Sequence, residues 1–166
     1  MRSISSSCLA ALAMALLSLS AACAQPAAGD PAPNAVAFMA QNALGEGVQS
    51  LPTGVQYKIL KSGPVTGPHP TLDDMVKVNY EGKLINGQVF DSSFKDNKPI
   101  TFKLGNLIPG WGDVVPLMRP GDEWLLYIPP SRGYGDEKTG PIPAKSVLIF
   151  RLQLIAVGAD AGAPNN

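Results

Sequence analysis

From Val55 to Leu154 the apolar residues recur at every second position, in short runs separated by Pro and Gly. That period puts one set of side chains on one face of a strand and cannot form the stripe of a helix. Val55, Tyr57 and Ile59 alternate with Gln56 and Lys58, and Val76, Val78 and Tyr80 alternate with Lys77, Asn79 and Glu81. Asn86-Gly87 carries the residue types of a tight hairpin and leads to Val89 and Phe90. Ile100, Phe102 and Leu104 follow, then Trp124, Leu126 and Ile128 up to Pro129-Pro130, and finally Leu148, Phe150, Leu152 and Leu154. One stretch breaks the rule. After Leu107-Ile108-Pro109-Gly110, the residues Trp111, Val114, Val115 and Met118 fall at i, i+3, i+4 and i+7, one face of a short helix. Pro109 suits a first helical position, where its missing N–H costs nothing. Pro116 should end or tighten the helix near Val115. The expected fold is α+β: a curved antiparallel sheet of about five strands wrapped around one short helix, with Trp111 flooring an apolar pocket.

The N-terminal part has a different character. Residues 1–24 read as a signal peptide, with Arg2 as the positive end and Cys8 to Leu19 as an apolar and small-residue stretch. Two processing readings stay open. Ala22-Cys23-Ala24 fits a small-x-small cleavage site and would release a chain starting at Gln25; this reading is preferred. Leu19-Ser20-Ala21-Ala22-Cys23 resembles a lipobox with Cys23 as a lipid anchor, although its leucine lies one position too far from the cysteine. The expected location is exported and periplasmic, with a membrane-anchored lipoprotein as the alternative. Residues 25–35 form a Pro/Ala/Gly-rich flexible linker, and 36–53 a short helical lead-in whose helix, Val36 to Leu44, is stopped by Gly45 and Gly47. The domain proper spans 54–157, and 158–166 is expected to be a disordered tail. Both cysteines lie in the leader, so the folded part has no disulfide.

Charge and motif exclude several functions. Thirteen basic residues balance thirteen acidic ones without a basic run, which argues against nucleic acid as partner. The one histidine, His69, lies between Pro68 and Pro70 and has no Gly-x-Ser-x-Gly turn to work with, so it reads as a solvated loop residue. Zinc-type clusters are missing from the sequence, Gly110-Trp111-Gly112 and Gly133-Tyr134-Gly135 are too short to cradle phosphate, and no cofactor is implied. What remains is Tyr80, Phe90, Asp91, Phe102, Ile108, Trp111, Tyr134 and Phe150. Apolar walls with a few polar groups describe a small-ligand pocket.

Several segments carry a family resemblance in order and with compatible spacing. They are Val78-Asn79-Tyr80-Glu81-Gly82, Gly87-Gln88-Val89-Phe90-Asp91-Ser92-Ser93 and Leu107-Ile108-Pro109-Gly110-Trp111, then Tyr134-Gly135, Ile142-Pro143-Ala144 and Leu148-Ile149-Phe150. With them, Gly54 to Val157 resembles the FK506-binding-protein family of peptidyl-prolyl cis-trans isomerases. The lead-in from Phe38 to Lys61 resembles that of the exported bacterial macrophage-infectivity-potentiator-like branch. The resemblance implies a pocket lined by Tyr80, Phe90, Phe102, Leu107, Trp111 and Phe150, with Ile142 on a flap. It assigns catalytic work to Asp91 as polar wall, to the Ile108 backbone N–H and to the Tyr134 hydroxyl. It further implies proline-containing polypeptides as substrates, FK506-like macrolides as inhibitors, and no covalent or metal chemistry. A non-catalytic peptide-binding or chaperone module on the same fold is the alternative. Ile100 stands where many members have an aromatic residue, and Asp136, Glu137 and Lys138 put charge on the flap. The long dimerisation region of that branch is missing, with only Val36 to Leu44 in a position to represent it, so a monomer is expected.

Overall fold

In a computed structural model of the chain, residues 35–96 and 98–162 are described. The expected signal peptide, its cleavage or lipidation at Ala24 or Cys23, and nearly all of the linker lie outside the described residues. Helix α1 (Ala35–Asn42) is followed by strands β1 (Val48–Ser50), β2 (Gln56–Lys61), β3 (Met75–Leu84), β4 (Val89–Ser92) and β5 (Ile100–Lys103). Helix α2 (Pro109–Val114) and strands β6 (Glu123–Ile128) and β7 (Leu148–Val157) complete the domain. All pairings are antiparallel, in the order β1-β2-β6-β7-β3-β4, with β5 also on β3.

The α+β class stands, but among the described residues the sheet has seven strands where about five were expected. β1 is only three residues long, too short to show a period. β4 and β5 divide one edge of β3 between them: β5 pairs with Met75 to Val78 and β4 with Glu81 to Lys83. The two hand over between Val78 and Glu81, and a register shift at Gly82/Lys83 bends the β3–β4 pair beyond that point.

The concave face closes over α2. Trp111, Val114, Val115 and Met118 are each at most 4% exposed and pack with Val76, Val78, Tyr80, Leu126, Ile128, Leu148, Phe150, Leu152 and Leu154. Full burial of one such aliphatic side chain is worth about 1.5–3 kcal/mol, so this face dominates the stability of the domain. Pro116 acts as expected. The α-helix ends at Val114, and Val115–Leu117 tightens into a 3-10 turn with Met118 N–H bonded to the Val115 carbonyl at 2.9 Å. Because the turn only tightens, Met118 still reaches the core.

Several outward or terminal features differ from expectation. Gln56, expected outward, is 6% exposed: its Nε2 donates to the Met39 carbonyl at 2.9 Å and its Oε1 accepts from Asn42 Nδ2 at 2.8 Å. It thus adds a second donor to a carbonyl that also accepts from Ala43 N–H at 3.0 Å, and fixes the lead-in helix to the sheet. Lys77 and Asn79 are also buried, although they face away from α2. Part of that cover comes from the stretch expected to be disordered. Gly158–Gly162 forms a 3-10 turn against β3 and β7, with Ala161 1% exposed and its carbonyl accepting from Thr101 Oγ1 at 3.0 Å. A small residue that fits a gap in the sheet surface orders the chain where composition alone suggests none. His69 is exposed, yet Arg119 Nε donates to its Nε2 at 3.0 Å and its Nδ1 lies 3.1 Å from the Met118 carbonyl.

Candidate active site

Five aromatic rings from different elements meet above α2. Trp111 receives Tyr80 from β3, Phe102 from β5 and Phe150 from β7, at centroid distances of 5.7, 6.5 and 5.3 Å and interplanar angles of 81°, 88° and 87°. Phe90 of β4 stands edge-on to Phe150 at 5.6 Å and 84°. Near-perpendicular pairs set the positive ring edge against the negative face, worth about 0.5–1.5 kcal/mol each beyond burial. The box is therefore rigid. Its indole N–H, Trp111 Nε1, is buried without a hydrogen-bond partner among the described residues.

The residues split by depth. Tyr80, Trp111, Ile142 and Phe150 are buried, while Phe90, Phe102, Leu107 and Ile108 pack on the core only in part and leave a face open. Tyr134 is 38% exposed in the loop after Pro130–Arg132. Ile142 sits in a small turn closed by reciprocal bonds with Thr139, both 2.9 Å, and Ser146 Oγ donates to the Pro143 carbonyl at 2.7 Å. At the mouth of α2, Leu107 N–H bonds to the Leu104 carbonyl at 3.1 Å and Trp111 N–H to the Ile108 carbonyl at 3.0 Å. The Ile108 N–H between them has no partner among the described residues.

Polar groups are few and placed by design of the strands. The Tyr80 hydroxyl donates to the Asp91 carboxylate across the β3–β4 pair. Burial, and then the bond to Asp91, the charge of Asp91 and the proximity of Tyr134, push the Tyr80 hydroxyl well above the ordinary phenol range. A raised folded-state value means that Tyr80 favours folding fully below the unfolded phenol value, ~10, and that this contribution is lost as pH rises further. Tyr80→Phe should therefore cost about 1 kcal/mol at neutral pH and flatten the loss of stability above ~pH 10. Urea denaturation across that range checks it, and parallel curves for both proteins would refute the assignment.

Some contributors were not visible as such in the sequence. Gly82, in the last third of β3, faces two rings: a Cβ there would lie 2.4 Å from Phe90 Cε2 and 2.8 Å from Phe150 Cε1. A glycine inside a strand pattern is the available signal for such close approach. Ser93 has no comparable signal. It is 4% exposed, its Oγ accepts from Tyr80 N–H at 2.9 Å, and its own N–H donates to the Tyr80 carbonyl at 2.9 Å. These bonds hold the β4 end, and with it Phe90 and Asp91, against Tyr80.

A separate groove of about 770 Å³ runs between α1 and the Pro129-Pro130 corner, and none of the five aromatic residues lines it. The aromatic box is the better candidate because ring walls and unsatisfied polar groups converge there.

Residues 67–155 match the family model described as FKBP-type peptidyl-prolyl cis-trans isomerase. The chain belongs to this family. It is 47% identical over 122 residues to the peptidyl-prolyl cis-trans isomerase Mip of Coxiella burnetii, covering 73% of this chain and 52% of that protein. It is 43% identical over 129 residues to the probable FKBP-type peptidyl-prolyl cis-trans isomerase FkpA of Neisseria meningitidis serogroup B, covering 77% and 47%. The chain thus spans about half the length of these curated relatives. Its fold matches the crystal structure of a peptidyl-prolyl cis-trans isomerase from Pseudomonas syringae pv. tomato, with TM-score 0.70, 35% identity and coverage of 78% of this chain and 99% of that one. The similarity to Mip and FkpA places the chain in the Mip-like branch of FKBP-type isomerases.

Proposed function

We propose that this protein is a peptidyl-prolyl cis-trans isomerase acting on proline-containing segments of exported polypeptides. The observation that carries the proposal is the rigid, open-topped aromatic box on Trp111, with an unpartnered Ile108 N–H beside it. Family membership supports it.

The chemistry asks for little. Amide resonance gives the X–Pro bond its double-bond character and places negative charge on the carbonyl oxygen, so unaided rotation takes tens to hundreds of seconds. Water stabilises the planar, polar form. Walls made of Tyr80, Phe90, Phe102, Trp111 and Phe150 take the proline ring out of water, where the less polar twisted amide is the less penalised form. Leu107 and Ile142 close the sides. The Ile108 N–H and the Tyr134 hydroxyl hold substrate carbonyls, and Asp91 supplies the polar wall, kept in place by Tyr80. Only interactions stronger in the twisted state accelerate rotation, and each ~1.4 kcal/mol of that difference gives a factor of ten.

Proline-limited refolding of a model protein should speed up in proportion to added enzyme, and FK506 should abolish the effect. FK506 binding with no acceleration would overturn the isomerase reading in favour of a peptide-binding or chaperone module.

Export to the periplasm rests on the signal-like residues 1–24, with Cys23 as the alternative lipid anchor. No helix among the described residues is long and apolar enough to cross a membrane. Mass spectrometry of the mature N-terminus separates a Gln25 start from a lipidated Cys23. The short α1 supports a monomer, and light scattering of the purified protein tests it.

A further inference from the structure

The geometry points to Asp113 and Arg132 as a pair of positioning residues that set the Tyr134 loop against the pocket floor. The pair rests on the isomerase reading above and adds two residues that lie outside the motifs carrying the family resemblance.

Asp113 is on α2, two residues after Trp111, and Arg132 ends the 3-10 turn two residues before Tyr134. Arg132 Nε donates to Asp113 Oδ2 at 2.8 Å and Nη2 donates to Oδ1, a two-pronged match of planar guanidinium to planar carboxylate. The side chains are 33% and 15% exposed, so the pair is sheltered more than an ordinary surface bridge.

The other bonds of this loop turn inward. Gly133 and Gly135 N–H both return to the Pro130 carbonyl, at 3.0 and 2.9 Å, and Glu137 N–H returns to the Tyr134 carbonyl at 3.2 Å. Lys145 N–H reaches the Gly135 carbonyl at 2.8 Å, but Lys145 belongs to the neighbouring flap and has φ 58°. These contacts shape the loop without fixing its distance from Trp111. The Asp113–Arg132 fork spans that gap. It joins the short helix that carries the floor to the loop that carries the Tyr134 hydroxyl. A hydroxyl meant to meet a substrate carbonyl needs placement within a fraction of an ångström, because misplacement by ~1 Å costs up to ~100-fold.

Arg132→Leu, Arg132→Lys and the exchanged pair D113R/R132D test this with the full chain. Arg132→Leu should raise KM for a proline peptide and weaken FK506 binding by roughly tenfold, with a smaller change in kcat. Arg132→Lys should recover only part of this, since a point charge does not reproduce the fork. D113R/R132D should recover more than either single change. The decisive measurement is a cycle with Tyr134→Phe. If Arg132 acts through Tyr134, Tyr134→Phe will weaken FK506 binding clearly less in the Arg132→Leu background than in the wild type. Additive losses, or wild-type KM and FK506 affinity in Arg132→Leu, overturn the inference. An inactive wild type instead overturns the isomerase reading, and FK506 affinity still decides the role of the pair.

Discussion

Trp111→Ala is expected to remove about 3–5 kcal/mol of stability, the range for truncating a large buried aromatic. Trp111 is 4% exposed and stands edge-to-face with three rings from three strands. The void would open between a six-residue helix and the sheet it packs on, where Val114 of that helix and Val115 and Met118 after it are the other fully buried contacts. So short a helix has no stability of its own and depends on its packing. The collapse needed to refill the space would move Tyr80, Phe102 and Phe150, so FK506 binding and isomerase activity should fall with stability. Trp111→Phe separates the causes. It keeps a ring at the floor and deletes the buried Nε1 donor that has no partner among the described residues. Leaving such a donor unpaired costs about 1–3 kcal/mol, so removing it offsets part of the lost packing. Urea midpoints should therefore rank wild type and Trp111→Phe close together and Trp111→Ala far below. A loss under ~1 kcal/mol for Trp111→Ala would show that the helix is held by other contacts.

The legible part of the fold was the part governed by local period. Alternation found the long strands and the inward faces of β3, β6 and β7, although in β2 Ile59, expected inward, is 40% exposed. The helical spacing from Trp111 to Met118 found the one element that breaks it. Pro109 and Pro116 even marked where that element starts and tightens. What stayed hidden depends on residues distant in sequence. Gln56 reads as an outward polar residue until α1 brings Asn42 and the Met39 carbonyl over it. β4 and β5 read as separate strands, and only the shared edge of β3 shows that they divide one partner. Ala161 reads as tail because nothing local states that the outer face of β3 has room for it.

The site follows the same division. Its residue types were readable because apolar positions on strands are readable, and the family motifs tied them to one pocket. The box brings together Tyr80, Phe90, Phe102, Trp111 and Phe150, and the open edge of Ile108 lies beside them. The supports were not readable. Ser93 works through its Oγ and its N–H, both bonded to the backbone of Tyr80, and Asp113 and Arg132 meet only once α2 and the loop after β6 are folded. Both kinds of contact use common polar residues that mean nothing singly.

Gly82 is the support whose removal should do most damage to the pocket itself. Gly82→Ala puts a Cβ 2.4 Å from the Phe90 ring and 2.8 Å from the Phe150 ring, so one or both rings must move. Phe150 is 5% exposed and locked on Trp111, whereas Phe90 is only partly buried. The cheaper displacement is therefore that of Phe90. Forced repacking of this kind costs typically ~1–3 kcal/mol. Displacing Phe90 also moves one wall of the pocket, and FK506 affinity should fall by an amount that exceeds the effect of an equally destabilising core change elsewhere. Phe90→Leu in the Gly82→Ala background removes the ring atoms nearest the new methyl. Stability of this double variant should then lie well above the sum of the two single losses, by at least ~0.5 kcal/mol in a double-mutant cycle. Strict additivity would mean that the strain of Gly82→Ala falls on Phe150, and the loss should then reach Trp111 and the floor.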